Sequence, residues 1–213
     1  DASLPRRGWL IGAAALAISG CTKSSTMTAS RTPVLNVKAL DAEVRALAGR
    51  AAPGVLGFGL MNLESGQSWT WNGERRFPMQ SVFKMAVAAA ALAEVDAGRL
   101  SLDEAISIGA KDLSPPRSPI ADAWPGRKVY SAGELLEAAV SDSDNTAADV
   151  LMKRIGGHGA VSGWLQSQKI EEVRVDRYER ERQPNALGMA AFRPAWKGAA
   201  FEAALATVPL AQR

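Results

Sequence analysis

Two residues three apart, Ser81 and Lys84, open an alanine-rich stretch with the spacing of a helix face. A serine hydroxyl is a poor nucleophile until a base takes its proton. A lysine amine serves as that base once burial and neighbouring cations lower its pKa. Lys84 lies among Phe83, Met85 and Val87, in a helix that reads as buried nearly all round, and a buried lysine needs a reason. The start of a helix adds free backbone N–H groups and the positive end of its dipole, which favour an oxyanion where the serine attacks a carbonyl. Alone, this pair is weak, because Ser81 can be a helix cap and Lys84 a solvated charge.

Further along stands Ser143-Asp144-Asn145, again at a helix start, where each of the three is an ordinary N-cap residue. A second serine there can also relay a proton to a leaving nitrogen, and an asparagine amide can hold a carbonyl. A third feature is Glu179 in Asp176-Arg177-Tyr178-Glu179. It is either one more charge on the solvated, highly charged segment Glu171 to Arg182 or a general base that activates water.

The elements that must position these groups follow from pattern. Val37, Leu40, Val44 and Leu47 share one face of a helix over Asn36 to Arg50. Val55 to Leu63, a Glu64-Ser65-Gly66 turn and Gln67 to Trp71 read as a β-hairpin. A helix is expected from Ser81 to Ala97 with Gly98 as its stop. The proline-rich stretch Leu113 to Pro119 and the segment through Trp124-Pro125-Gly126 read as loops. Ser131 opens a helix with Glu134 in the capping-box position. Asn145 to Ile155, closed by Gly156-Gly157, and Gly159 to Gln168 are further helices. No convincing strand is legible beyond the hairpin, and residues after Arg182 carry no clear motif. The order is an α/β (α+β) pattern, a helical domain with an incomplete antiparallel sheet.

Composition narrows the function classes. Charged residues are 22% of 213, the formal net charge is +3, and no Lys/Arg block or basic helix with interleaved aromatics is present, which argues against a nucleic-acid partner. A single histidine, His158, rules out a multi-histidine metal site, so no metal or cofactor is expected, and a structural or neutral role is expected for His158. A single cysteine, Cys21, leaves no internal disulfide. Residues 1–21 read as an export signal: Arg6-Arg7, then an apolar run too short for the roughly 20 residues of a membrane span. The arginine pair resembles a twin-arginine signal, and Ile18-Ser19-Gly20-Cys21 resembles a lipobox, which would make Cys21 a lipid-bearing residue. Residues 22–35 are Ser/Thr-rich at their start and suit a flexible tether. The expected destination is the periplasm or a membrane anchored through Cys21.

Taken together, Ser81-Val82-Phe83-Lys84, Ser143-Asp144-Asn145 and Asp176 to Glu179 resemble class A serine β-lactamases, with the likeness running from about Asn36 to Asn185. The resemblance implies a β-lactamase/penicillin-binding-protein-like fold over 36–213 and hydrolysis of penicillins and cephalosporins by a monomer. It implies Ser81 as acylated nucleophile, Lys84 as proton acceptor, Ser143 as donor to the lactam nitrogen and Glu179 as activator of the hydrolytic water. Asn145 is expected to contact substrate and fix Lys84, and the Ser81 N–H to form half an oxyanion hole. S-x-x-K, S-D-N and K-T-G form that family's set, yet no K-T-G follows Glu179 here. Gln183 stands where the family has an asparagine four residues after the glutamate, and is expected to hold the water. The Asp-Thr-x-x-Pro stretch is absent, and no aromatic marks the cleft mouth near Arg117-Ser118-Pro119, with Trp124 as its substitute. The expectation is a partial catalytic domain, unstable and inactive alone, with the hairpin edge unpaired. The rivals are a penicillin-binding transpeptidase, which lacks a dedicated base for water, and a covalent β-lactam sensor.

Overall fold

The computed structural model describes residues 34–189 and 199–209, so Cys21, the expected export signal and most of the expected tether lie outside the described residues. The chain divides into two compact units, Asp1–Phe77 and Pro78–Arg213.

In the first unit, helix α1 (Val37–Ala51) starts where Asn36 Oδ1 accepts the Ala39 N–H, a side-chain cap that satisfies one orphan donor. Of its expected apolar face only Val44 is buried, while Leu47 is exposed. The hairpin forms as expected, pairing β1 (Phe58–Met61) antiparallel with β2 (Ser68–Trp71), Leu60 opposite Trp69. Its turn is organised by Asn62, whose Oδ1 accepts the Glu64 and Ser65 N–H groups in an Asx turn. Trp69 is the buried residue of β2, and its Nε1 donates to Asp41 of α1 at 3.1 Å.

The second unit is a helical core. Helix α2 (Phe83–Asp96) packs with α4 (Ala132–Val140), α5 (Asn145–Arg154) and α6 (His158–Ser167). Val87, Leu135, Leu151, Met152 and Val161 are fully or almost fully buried at the contact. Burying such side chains stabilises by about 1.5–3 kcal/mol each. Ser131 and Glu134 form the expected capping box, Ser131 Oγ accepting the Glu134 N–H and Glu134 Oε2 the Ser131 N–H. Asp144 is the cap of α5, accepting the Ala147 N–H at 2.8 Å.

Several elements depart from the sequence reading. Ser81 lies in a 3-10 turn, Gln80–Val82, ahead of α2 rather than inside it. Helix α2 is not buried all round: Met85 is 69% exposed and Leu92 46%. A run of alanines has the same hydrophobicity on every face, so periodicity could not say which side faces out. A second two-stranded antiparallel sheet pairs β3 (Ala105–Ser107) with β4 (Val129–Ser131), three residues each, too short for an alternating pattern to register. Helix α3 (Pro119–Ala123) occupies part of the expected loop region, started by Ser118, whose Oγ accepts the Ala121 N–H. The charged segment ends in helix α7 (Glu179–Ala186), and α8 (Ala199–Ala206) lies in the stretch without a motif. Among the described residues no helix is long and apolar enough to cross a membrane.

Candidate active site

The 3-10 turn exposes Ser81 at the front of α2. Its predecessor Gln80 has φ 49, and Ser143 has φ 57, so both hydroxyl-bearing turns contain a left-handed non-glycine residue. Such residues cost about 1–3 kcal/mol each and persist where the surroundings hold them, commonly at functional sites. The Ser143 hydroxyl donates to Ser81 Oγ at 3.0 Å.

Behind this pair lies Lys84, 2% exposed. Its Nζ donates to the Ser143 carbonyl, to Ser143 Oγ at 3.0 Å and to Asn145 Oδ1 at 2.7 Å. Burial lowers the Lys84 pKa from its ordinary value, against the opposing pull of Glu179, Asp144 and Asp149. Asn145 is itself oriented, because its Nδ2 donates to the Pro116 carbonyl at 2.7 Å. One N–H of the amide remains for another acceptor. The structure thus brings Ser81, Lys84, Ser143 and Asn145 into one hydrogen-bonded group with the nucleophile outermost.

Glu179 is 2% exposed at the first position of α7. Its backbone N–H donates to Asp149 Oδ1 at 2.8 Å, and the Arg180 N–H donates to Asp149 Oδ2 at 3.1 Å. Asp149 therefore caps α7 from another helix, α5. The Glu179 carboxylate accepts from Arg182 Nε at 3.2 Å and from Nη2 at 2.9 and 3.1 Å. Its negative charge is the strongest carboxylate pull raising the Lys84 pKa. Gln183 sits one turn on from Glu179, half-buried. The side chain of Trp124 packs against the hydrophobic core, with Lys128 Nζ 6.0 Å from its ring centre, rather than among the Ser81 hydrogen bonds. His158 is exposed at the start of α6, edge-on to Tyr178.

The sequence reading missed the polar layer beneath the site. Asp144 also accepts from Ser118 Oγ at 2.9 Å and the Ile120 N–H at 2.9 Å. Asp149 accepts from Ser114 Oγ at 2.6 Å, and Thr146 Oγ1 accepts the Ser114 N–H and shares a hydrogen bond with Ser118 Oγ. These bonds tie the proline-rich loop to α5 and so place the Pro116 carbonyl that holds Asn145. The available signal was Asp149 itself, an acid four residues after Asn145 on the same helix face, followed directly by the apolar run Val150-Leu151-Met152. Arg182 was also missed; its spacing of three from Glu179 was the clue. Among the described residues no group of three or more His, Cys, Asp or Glu could hold a metal ion.

A serine in a tight turn, backed by a buried lysine and a second serine, is the arrangement of an S-x-x-K serine hydrolase. The beta-lactamase enzyme family matches residues 39–204, and the chain belongs to that family. Beta-lactamase AER-1 of Aeromonas hydrophila is 35% identical over 145 residues, 68% of this chain and 46% of that protein. Beta-lactamase VEB-1 of Pseudomonas aeruginosa is 33% identical over 127 residues, 59% of this chain and 42% of that protein. The chain thus spans less than half the length of these curated relatives. A solved variant of the class A β-lactamase of the last common ancestor of Gram-negative bacteria superposes with TM-score 0.62 at 38% identity, covering 67% of this chain and 53% of that one. A β-lactamase from Chitinophaga pinensis gives TM-score 0.63 at 36% identity over the same shares. The class A fold expected from the three motifs is thereby matched.

Proposed function

We propose that the chain carries the acylating machinery of a class A serine β-lactamase, which opens the β-lactam ring of penicillins and cephalosporins through an acyl-enzyme on Ser81 and confers resistance. The observation that carries this reading is the hydrogen-bonded run from Ser81 Oγ through Ser143 Oγ to Lys84 Nζ. A neutral Lys84 has two N–H donors and one lone pair. The Ser143 carbonyl and Asn145 Oδ1 accept the two donors, which leaves the lone pair for the Ser143 hydroxyl. The Ser81 proton then passes to Ser143 Oγ as the Ser143 proton passes to Lys84. Ser81 Oγ bonds to the lactam carbonyl carbon, and the ring C–N bond breaks. Ser143 hands its proton to the nitrogen and is reprotonated by Lys84. The backbone N–H of Ser81 supports the developing oxyanion.

Glu179 then takes a proton from water, whose oxygen attacks the acyl carbon. Ser81 Oγ leaves and recovers that proton, releasing the opened product. Gln183, on the same face of α7, holds the water, and the remaining N–H of Asn145 holds the substrate amide. The reaction uses no cofactor. We further propose a monomer with no nucleic-acid partner, exported through residues 1–21 and anchored in the periplasm by lipid on Cys21.

Hydrolysis of a chromogenic cephalosporin by the full-length protein, followed alongside a labelled penicillin, tests the reading. Turnover with a short-lived label supports it. A label on Ser81 that persists for hours supports the transpeptidase instead.

A further inference from the structure

Two cations serve the site, but the structure gives the buried Glu179 carboxylate to only one of them. An ammonium has three N–H donors. All three from Lys84 are spent on Ser143 O, Ser143 Oγ and Asn145 Oδ1. The Glu179 carboxylate instead takes three hydrogen bonds from the Arg182 guanidinium, on both of its oxygens. Arg182 lies three residues on along α7, its side chain 28% exposed against 2% for Glu179. Glu179, Asp144 and Asp149 pull the Lys84 pKa up, and the Arg182 charge pushes it down.

The other two carboxylates are committed elsewhere. Asp144 accepts from Ser118, Ile120 and Ala147, and Asp149 accepts from Ser114, Glu179 and Arg180. Glu179 is therefore the carboxylate whose direction the side chains around it decide. Turned onto Lys84, it would stabilise the ammonium and remove the lone pair that accepts the nucleophile's proton. An arginine cannot be neutralised in this range, and its planar fork fixes a carboxylate in both position and orientation.

We propose that Arg182 is a positioning residue for the reaction: its guanidinium holds the Glu179 carboxylate away from Lys84, which assigns the nucleophile's proton to Lys84 and the water's proton to Glu179. This inference rests on the hydrolytic reading for its meaning, but its physical content does not.

The test is an NMR titration of the full chain with 13C-labelled lysine, the Lys84 signal being assigned by its loss in Lys84→Arg. In Arg182→Met the Lys84 midpoint is expected to rise by about one pH unit. In Arg182→Lys, which keeps the charge, it should stay within about 0.3 unit of the unsubstituted chain. Where bare Glu179 costs Arg182→Met its fold, Arg182→Gln replaces it. A rise of about one unit is again expected, smaller only by what the amide's own hydrogen bond retains. A parallel measurement follows acylation by a labelled penicillin at pH 7, where the Met or Gln variant should be about tenfold slower. An unmoved Lys84 midpoint in a folded Met or Gln variant overturns the proposal, as does a full one-unit rise in Arg182→Lys. Failure of the unsubstituted full-length protein to form any Ser81 adduct would instead defeat the hydrolytic reading and leave the titration to decide the role of Arg182.

Discussion

The Asp149 carboxylate, buried in α5, receives the backbone N–H of Glu179 at 2.8 Å and holds the first turn of α7 against the helix that carries Asn145. Glu179 is therefore placed by its backbone from one side and by Arg182 from the other. Burial pushes the Asp149 carboxyl up from 3.8 to about 6, although its three hydrogen-bond donors favour the ionised form.

That shift fixes a pH dependence. Native Asp149 keeps its proton to a higher pH than the unfolded chain does, so its contribution to stability is fully present below about 3.8 and is lost as pH rises through about 6. The full loss is roughly 3 kcal/mol. Asp149→Asn has no such titration. Urea unfolding of both proteins at several pH values should show the wild type losing stability relative to the variant between pH 4 and 6. A constant difference across that window would contradict the buried, proton-holding carboxyl.

Ser143→Ala removes the hydroxyl between Ser81 and Lys84 and leaves the backbone carbonyl that Lys84 also uses. Acylation should slow by about 10²–10⁴-fold, the span expected for a lost proton relay. The circular dichroism spectrum should be unchanged, because the Ser143 side chain is only half-buried. Stopped-flow acylation by a penicillin measures the effect, and a loss smaller than tenfold would show that Lys84 reaches the nucleophile by another route.

Asn145→Ala strips Lys84 of one acceptor and the Pro116 carbonyl of its donor, both in buried or half-buried surroundings. Groups left unpaired in this way cost about 1–3 kcal/mol each. Thermal unfolding should show a lower midpoint together with slower acylation. An unchanged midpoint would mean that the loop from Leu113 to Pro119 is held without Asn145.

What could be read in the sequence was what local chemistry decides. The spacings of Ser81 to Lys84 and of Ser143 to Asn145 announced the reactive group, and the caps at Ser131 and within Ser143-Asp144-Asn145 announced helix starts, because a cap needs only a few adjacent residues. Helix α7 was hidden. Its run of Glu and Arg resembles a solvated segment and Pro184 sits in its interior, where proline removes a backbone donor. It is tied down by Asp149, thirty residues earlier, and no window of pattern reaches that far. The left-handed Gln80 that sets Ser81 in a 3-10 turn left no mark either, since glutamine is not a residue that signals positive φ.

The most direct test is the identity of the acylated atom. Incubating the full-length protein with a slowly released penicillin, quenching in acid and mapping the digest by mass spectrometry should place one penicilloyl group on the peptide containing Ser81, and Ser81→Ala should carry none. An adduct on a different residue, or an adduct that survives in Ser81→Ala, would contradict the account.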